Sequence, residues 1–459
     1  MNHSASLRTV ALAAAVLVAL GGCATYREKP LENHAASGTT PLYVDAAAMP
    51  LPALREHRFD PNDGLDQTEV AMLAVANNPD LRLFRDDLGI QHAQAFAASL
   101  LPDPQFSFGQ DLLVSSGPDL VNAFTTGITQ DISAVLMRSS TIQASRLDTR
   151  KLELDELWAE WQLVAQARAL FNQVRSDEKL LQELRESLPE RERLRDSVEG
   201  ELQAGNLTRD VASGPLLAIA DLQRQIDDTA QKLNLERHAL KLLLGLDEHA
   251  ELRLVDDPAP TAAAAQMMPA DIDERLAALP ERRPDLLALR MGYRAQEVKL
   301  RQAVLKQFPT ISLGLSYARD TSNIITRGYS VGFSLPLFDR GRGAIAVETA
   351  TRQRLFDEYQ SRLAAARSEV DRIRLDLPDL IRRTQQAERD AERLRDEQEA
   401  ATQSFSAGML DWNAYVTLST ASVARRIEAV QLALTLQEQQ EMLRTLLGDE
   451  LPTPPETGR

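Results

Sequence analysis

Apolar and small polar residues alternate with a period of two within residues 104–133 and again within residues 308–338. This pattern predicts two β-strands in each stretch, each long enough for a tilted membrane strand. One face of these strands is apolar, and the other consists mainly of Gly, Ser and Thr. A half-buried sheet in a soluble protein gives the same alternation, so the pattern alone does not say whether the apolar face contacts protein or lipid. The small polar face fits a barrel wall around a wet lumen, so we predict that the apolar-face residues face lipid. These residues are Phe106, Phe108, Ile311, Leu313, Leu315, Val331, Phe333 and Leu335.

Apolar residues recur every three or four positions over long segments that follow each pair of strands. These segments, residues 136–203 and 342–406, predict helices that pack as coiled coils and extend for roughly 100 Å at about 1.5 Å per residue. Shorter helices are predicted at residues 68–77 and 79–101, before the first pair of strands. Pro189 and Pro378 interrupt the two long segments and predict kinks.

The chain contains two copies of one unit. Pro-Asp-Leu at residues 79–81 recurs at 284–286, an offset of 205 positions. Ala-Gly at residues 204–205 recurs at 407–408, an offset of 203. A unit of about 200 residues is far longer than the roughly 20–50 residues of solenoid repeats, so the pattern indicates a duplication.

The repeat sets the predicted domain boundaries. Each copy is a helix–strand–strand–helix unit, and polar, Pro-rich segments flank and connect the copies. The predicted segments are a signal peptide (1–22), a lipid anchor and extended tether (23–67), the first repeat (68–250), a linker (251–272), the second repeat (273–448) and a disordered tail (449–459).

Four strands are too few to close a membrane barrel, because even small barrels have eight. An open sheet edge is not tolerated in lipid. If the strands lie in a membrane, several copies of the chain must therefore complete the barrel, and three copies would contribute twelve strands.

The N-terminus has the features of an export signal. Arg8 precedes an apolar stretch of 11 residues, Val10 to Leu20, which is too short to span a bilayer. The following Leu-Gly-Gly-Cys resembles a bacterial lipobox, which implies that Cys23 is lipidated. Cys23 is the only cysteine, so an internal disulfide is excluded. The alternative is a plain signal peptide followed by an ordinary thiol.

Composition narrows the possible functions. The 459 residues carry a formal net charge of −16 and show no basic patch, which argues against nucleic-acid binding. The six His show no metal-ligand spacing, and no Walker loop or Gly-x-Ser-x-Gly motif occurs. We therefore expect no cofactor, no metal site and no enzymatic activity.

These features together resemble the TolC-like outer-membrane efflux family. The resemblance covers residues 68–448 and rests on the duplication, on Phe-Pro-Thr-Ile-Ser-Leu-Gly at 308–314, and on Ser-Leu-Pro-Leu-Phe-Asp-Arg-Gly-Arg at 334–342. The first copy departs from the pattern at residues 133–136. The resemblance implies a mainly α protein with a membrane β part, in which three copies form a 12-stranded β-barrel joined to a 12-helix periplasmic α-barrel.

The resemblance also implies location, partners and function. It predicts a lipid-anchored protein of the outer membrane of a Gram-negative bacterium, which contacts outer-membrane lipid and extends into the periplasm. The partners would be a periplasmic adaptor and an inner-membrane transporter of the RND or ABC type. The implied function is a passive exit duct for small toxic compounds or metal ions. A type I protein-secretion duct and a periplasmic coiled-coil scaffold lipoprotein are the alternatives.

Two groups of residues would carry these roles. Asp210 and Asp411, just past the turns, are candidates for a carboxylate ring at the channel entrance. They would alternatively favour only the positive ends of their helices. The predicted adaptor-docking turns are Ala204, Gly205, Asn206, Leu207, Ala407, Gly408, Met409 and Leu410.

Overall fold

A computed structural model describes residues 26–31, 42–114, 117, 120–256, 269–448 and 451. The signal peptide, Cys23 and most of the predicted linker and tail lie outside the described residues. The chain divides into two units. In the first, Met1–Ser37, residues 26–31 are exposed and have no regular secondary structure. The second, Gly38–Arg459, contains every element named below.

The second unit contains two successive helix–strand–strand–helix repeats, each ending in a long helical hairpin. A short helix, α1 (Pro52–Glu56), precedes them. The first repeat comprises α2 (Gln67–Asn77), α3 (Pro79–Ser99), β1 (Gln105–Asp111), β2 (Ala123–Asp131), α4 (Ile132–Gln203) and α5 (Arg209–Leu243). The second comprises α6 (Pro269–Arg282), α7 (Pro284–Leu305), β3 (Thr310–Arg319), β4 (Ile325–Ser334), α8 (Arg342–Ser406) and α9 (Trp412–Leu447).

The predicted elements are present, with shifted ends that have local causes. Helix α4 begins at Ile132, before the predicted 136, because the Asp131 side chain accepts a hydrogen bond from Ala134 N and caps the helix. Strand β4 ends at Ser334, so Leu335 lies just past it and not within it. The next residue, Pro336, has no N–H to donate to the ladder.

The four strands form one antiparallel sheet in the order β1-β2-β3-β4. Its register places Gly, Ser and Thr next to each other on one face. Ser312 pairs with Gly332, where an added Cβ would lie 2.5 Å from Ser312 Oγ. The same 2.5 Å separates Ser330 Oγ from a Cβ built on Gly314. A larger residue at Gly314 or Gly332 would therefore have to displace the facing serine hydroxyl.

The helices that flank the strands pack side by side in the same order as the strands. Helix α3 leads into β1, β2 into α4, α7 into β3, and β4 into α8. Helix α3 packs against α4, α4 against α7, and α7 against α8. The helices flanking the sheet therefore form a row, α3-α4-α7-α8, whose two ends carry the two edge strands.

The long helices pack through the predicted apolar stripe. Trp161 and Val164 of α4, and Val370 and Ile373 of α8, are each at most 1% exposed. The Trp161 indole N–H also donates to Thr445 O of α9 at 3.0 Å. This bond joins the first repeat to the second in the middle of the core.

The Pro-Asp-Leu motif packs differently in the two repeats. At the start of α7, Arg283 forms a bidentate pair with Asp285 (2.7 and 3.0 Å), and both side chains are buried. The Arg283 guanidinium lies 4.5 Å from the ring centre of Trp158. In the first repeat Asn78 takes the place of Arg283 and caps Leu81 N, while Asp80 is exposed.

Candidate functional site

The helical hairpins of both repeats turn in the same way. Gly205 and Gly408 adopt φ angles of +80° and +71°, which glycine tolerates without strain. The next residue donates backward to a helix carbonyl: Asn206 N to Glu201 O (2.9 Å) and Met409 N to Ser404 O (2.8 Å). These bonds satisfy carbonyls that would otherwise lack partners at a helix end. Both Ala-Gly segments are therefore turns, as predicted; their role in adaptor docking stays a prediction.

The two turns meet at one tip. Leu207 and Leu410, which occupy equivalent positions in the repeats, both pack against a single apolar cluster. The remaining turn residues are exposed, with Met409 at 76%. The buried members of this tip cluster are Leu194, Val198, Ala212, Ala401, Tyr415 and Val416.

An aromatic group that the sequence analysis did not identify fixes the second turn. The Phe405 ring centre lies 4.7 Å from Trp412, edge to face, and 4.8 Å from Tyr415, stacked. The signal was present, because these three residues flank Gly408 in a chain with only 5% aromatic residues. Such pairs contribute about 0.5–1.5 kcal/mol beyond the burial of their area.

The two candidate entrance carboxylates have different environments. Asp411 is the N-cap of α9, and its side chain accepts a hydrogen bond from Ala414 N at 2.9 Å. The equivalent residue in the first repeat is Thr208, whereas Asp210 lies in the first turn of α5. A hydrogen bond from the Thr208 side chain lowers the pKa of Asp210. Both carboxylates are exposed. Asp411 thus caps its helix, whereas the entrance ring and its alternative, stabilisation of the positive helix end, both stay predictions.

The sheet presents its apolar face to the surroundings. Phe106 is 69% exposed, Leu315 71% and Phe333 60%. Within the described chain, β1 pairs only with β2 and β4 only with β3, so each has a free edge. Long exposed edges invite pairing with another chain. Lipid contact by the predicted apolar-face residues stays a prediction.

Other kinds of site do not emerge among the described residues. No group of three or more His, Cys, Asp or Glu side chains there is arranged to hold a metal ion. None of the described helices combines the length and apolar character needed to cross a bilayer.

Comparison with known proteins identifies the family of the second repeat and the fold of the whole chain. Residues 276–449, most of the second repeat, match the family model of outer membrane efflux proteins. The fold of nearly the whole chain is similar to the outer membrane channel CmeC of Campylobacter jejuni, with a TM-score of 0.72 at 14% identity, over 94% of this chain and 96% of that one. The second repeat therefore belongs to the outer membrane efflux protein family, and the chain as a whole has the fold of TolC-like outer membrane channels.

Two further solved structures share the efflux-protein fold. The outer-membrane channel OprN gives a TM-score of 0.70 at 17% identity, over 94% of this chain and 100% of that one. CusC gives 0.68 at 17% identity, over 91% and 99%. At these identities the likeness concerns the fold. No curated protein matches the sequence at a significant level.

The matched family has a known general function. Proteins of this family are outer-membrane channels of tripartite pumps and not enzymes. They work as trimers with adaptor and inner-membrane pump partners. The predictions of family, outer-membrane location and non-enzymatic function are therefore confirmed.

Proposed function

We propose that three copies of this chain close into one 12-stranded barrel, with their helices continuing it as a periplasmic tunnel of twelve helices. The free edges of β1 and β4 carry this proposal. Joining β4 of one copy to β1 of the next repeats the same contact around a ring, which is the geometry of a closed cyclic oligomer. Closure removes every open edge, as lipid requires.

The helices at the ends of the row support the same joint. Helix α3, which leads into β1, leaves Leu83, Ile90 and Phe96 exposed. Helix α8, which follows β4, leaves Val347 and Phe356 exposed. These side chains lie on the two helices that the β4-to-β1 joint would bring together. Burial of apolar area against a neighbour would stabilise the assembly by about 25 cal/mol per Å².

The proposed activity is passive export of small toxic compounds or metal ions across the periplasm and outer membrane. An adaptor would engage the Ala-Gly turns, and an inner-membrane transporter of the RND or ABC type would supply the energy. Cys23, if lipidated, would anchor the chain to the membrane.

Conductance tests this function. We expect the protein to run as a heat-modifiable trimer in outer-membrane detergent extracts and to conduct ions in planar bilayers. A water-soluble monomer from a Cys23→Ser variant, without conductance from the wild type, would favour the scaffold alternative. Deletion strains separate the cargo classes: sensitivity to drugs or metals favours the efflux duct, and loss of a secreted protein favours type I secretion.

Two substitutions at Asp411 separate a charged entrance ring from helix capping. Asparagine caps helices about as well as aspartate, so Asp411→Asn removes the charge and keeps the cap. We expect both Asp411→Asn and Asp411→Ala to raise the conductance of the resting channel. Only the alanine variant should lose about 0.5–2 kcal/mol of local helix stability. Unchanged conductance of Asp411→Asn would leave Asp411 as a cap alone.

A further inference from the structure

The outward face of the sheet carries a groove that the proposed barrel does not fill. Its volume is about 500 Å³. The strand register places Phe106, Ile128 and Leu315 in one row and Tyr317 and Arg327 two residues further along. The intervening row of small residues forms the floor. Because the groove lies on the face of the sheet, pairing of strand edges between copies would leave it open.

One end of the groove is positively charged. The Arg327 guanidinium lies 5.8 Å from the ring centre of Tyr317, and that of Arg319 lies 5.1 Å from Phe124. The two rings are themselves 5.8 Å apart. Arg319, Phe124, Tyr317 and Arg327 therefore form a single cluster, in which each guanidinium group lies over an aromatic ring.

Neither guanidinium is neutralised within the described part of the chain, where no carboxylate lies within ion-pair distance of either. Arg319 donates from Nη2 to Asn122 O at 3.2 Å, and its Nε is covered without a partner. Arg327 is exposed. Arginine groups on apolar surface that lack a carboxylate favour an anion, and their fork geometry suits phosphate oxygens.

The position of this cluster along the strands indicates which leaflet of the outer membrane it would contact. Strand β3 has 10 residues, from Thr310 at the helical end to Arg319 at the hairpin. At about 3.3 Å per residue and a tilt near 45°, it rises about 23 Å, close to the height of a barrel's apolar band. Because the helices lie in the periplasm in the proposed channel, Arg319 would reach the outer interface. Arginine costs only about 0–1 kcal/mol there, compared with about 2–4 kcal/mol at midplane.

We propose that this surface binds a phosphorylated glycolipid of the outer leaflet, with an acyl chain in the groove and its phosphates on Arg319 and Arg327. The inference rests on the proposed barrel, in which this face of the sheet contacts lipid. An acyl chain suits the apolar walls of the groove, and a headgroup with more than one phosphate suits two adjacent guanidinium groups.

The test measures phosphorylated glycolipid retained per oligomer, by native mass spectrometry of protein purified from outer membranes in mild detergent. The double variant Arg319→Gln/Arg327→Gln should retain less, by roughly fivefold for each guanidinium removed. Arg319→Lys/Arg327→Lys keeps both charges and should retain an intermediate amount. Arg389→Gln, on an exposed part of α8, is the matched control and should match wild type.

Two further measurements identify the ligand. Ile128→Trp fills the groove and keeps both arginines, and it should also lower retention. Millimolar inorganic phosphate should leave the bound glycolipid in place; displacement by phosphate alone would mean a free-anion site and overturn the proposal. Equal retention by the double glutamine variant and wild type would overturn it too. If wild type forms no oligomer, the barrel proposal itself has failed, which is a different result.

Discussion

Leu313→Arg is expected to cost up to about 2–4 kcal/mol of membrane insertion and to reduce trimer yield severely. Phe333→Arg should cost less, because Phe333 pairs with Ile311 at the helical end of the sheet, nearer the inner interface. Both residues are exposed on the apolar face, Leu313 on the middle strand β3 and Phe333 on the edge strand β4. In the proposed trimer each substitution recurs in all three copies, so the cost applies three times around the barrel. The measurement is the amount of heat-modifiable trimer in outer-membrane extracts.

Ser316→Arg is the matched control for these variants. Ser316 follows Leu315 on β3 but points to the opposite face, and its partners on both neighbouring strands are glycines. An arginine there would extend into a wet lumen, so trimer yield should stay near that of wild type. If Leu313→Arg and Phe333→Arg assemble as well as Ser316→Arg, the two faces are equivalent and the sheet does not lie in lipid.

The hydrophobic periodicity of the sequence predicted the helices and strands well, because it reports which face of each of them is buried or covered. The prediction of α8 as residues 342–406 agrees with the structure, and all four strands lie within the predicted stretches. The ends were less accurate where a single side chain decides them. Asp131 extends α4 by capping it, and Pro336 ends the ladder before Leu335 can join it.

The candidate site was harder to predict because its properties depend on individual side-chain contacts. Aligning the repeats on Gly205 and Gly408 places Thr208, and not Asp210, opposite Asp411. The sequence analysis treated the two aspartates as a pair, although only Asp411 caps a helix. The aromatic residues around Gly408 were visible in the sequence, but the stacking of Arg319 on Phe124 required the fold, because it joins residues from different repeats.

Asp285→Ala is expected to destabilise the protein by about 3–5 kcal/mol, since it leaves a buried guanidinium without its carboxylate. Arg283 is 4% exposed and is held against Trp158, so it has no easy route to solvent. Asp285 also accepts a hydrogen bond from Leu286 N (2.9 Å) and lies 3.6 Å from Arg362. The substitution therefore leaves N–H donors of Arg283 and Leu286 without their acceptor. It also removes the carboxylate that neutralises both Arg283 and Arg362.

The first repeat provides the control. Asp80 occupies the same place in the Pro-Asp-Leu motif but is exposed, and Asn78 replaces the arginine by bonding to Leu81 N and Leu243 O. Asp80→Ala should change stability by no more than about 0.5 kcal/mol. The measurement is the melting temperature of the purified oligomer, recorded for both variants at one protein concentration.

Removing both partners distinguishes loss of the pair from loss of a carboxylate alone. Replacing a buried ion pair by apolar groups of similar volume is often neutral or stabilising. Arg283→Met/Asp285→Leu should therefore recover most of the melting temperature that Asp285→Ala loses. If the double variant melts as low as Asp285→Ala, the loss comes from packing at the start of α7 and not from an orphaned charge. If Asp80→Ala melts as low as Asp285→Ala, the motif acts alike in both repeats and the buried pair is not what distinguishes them.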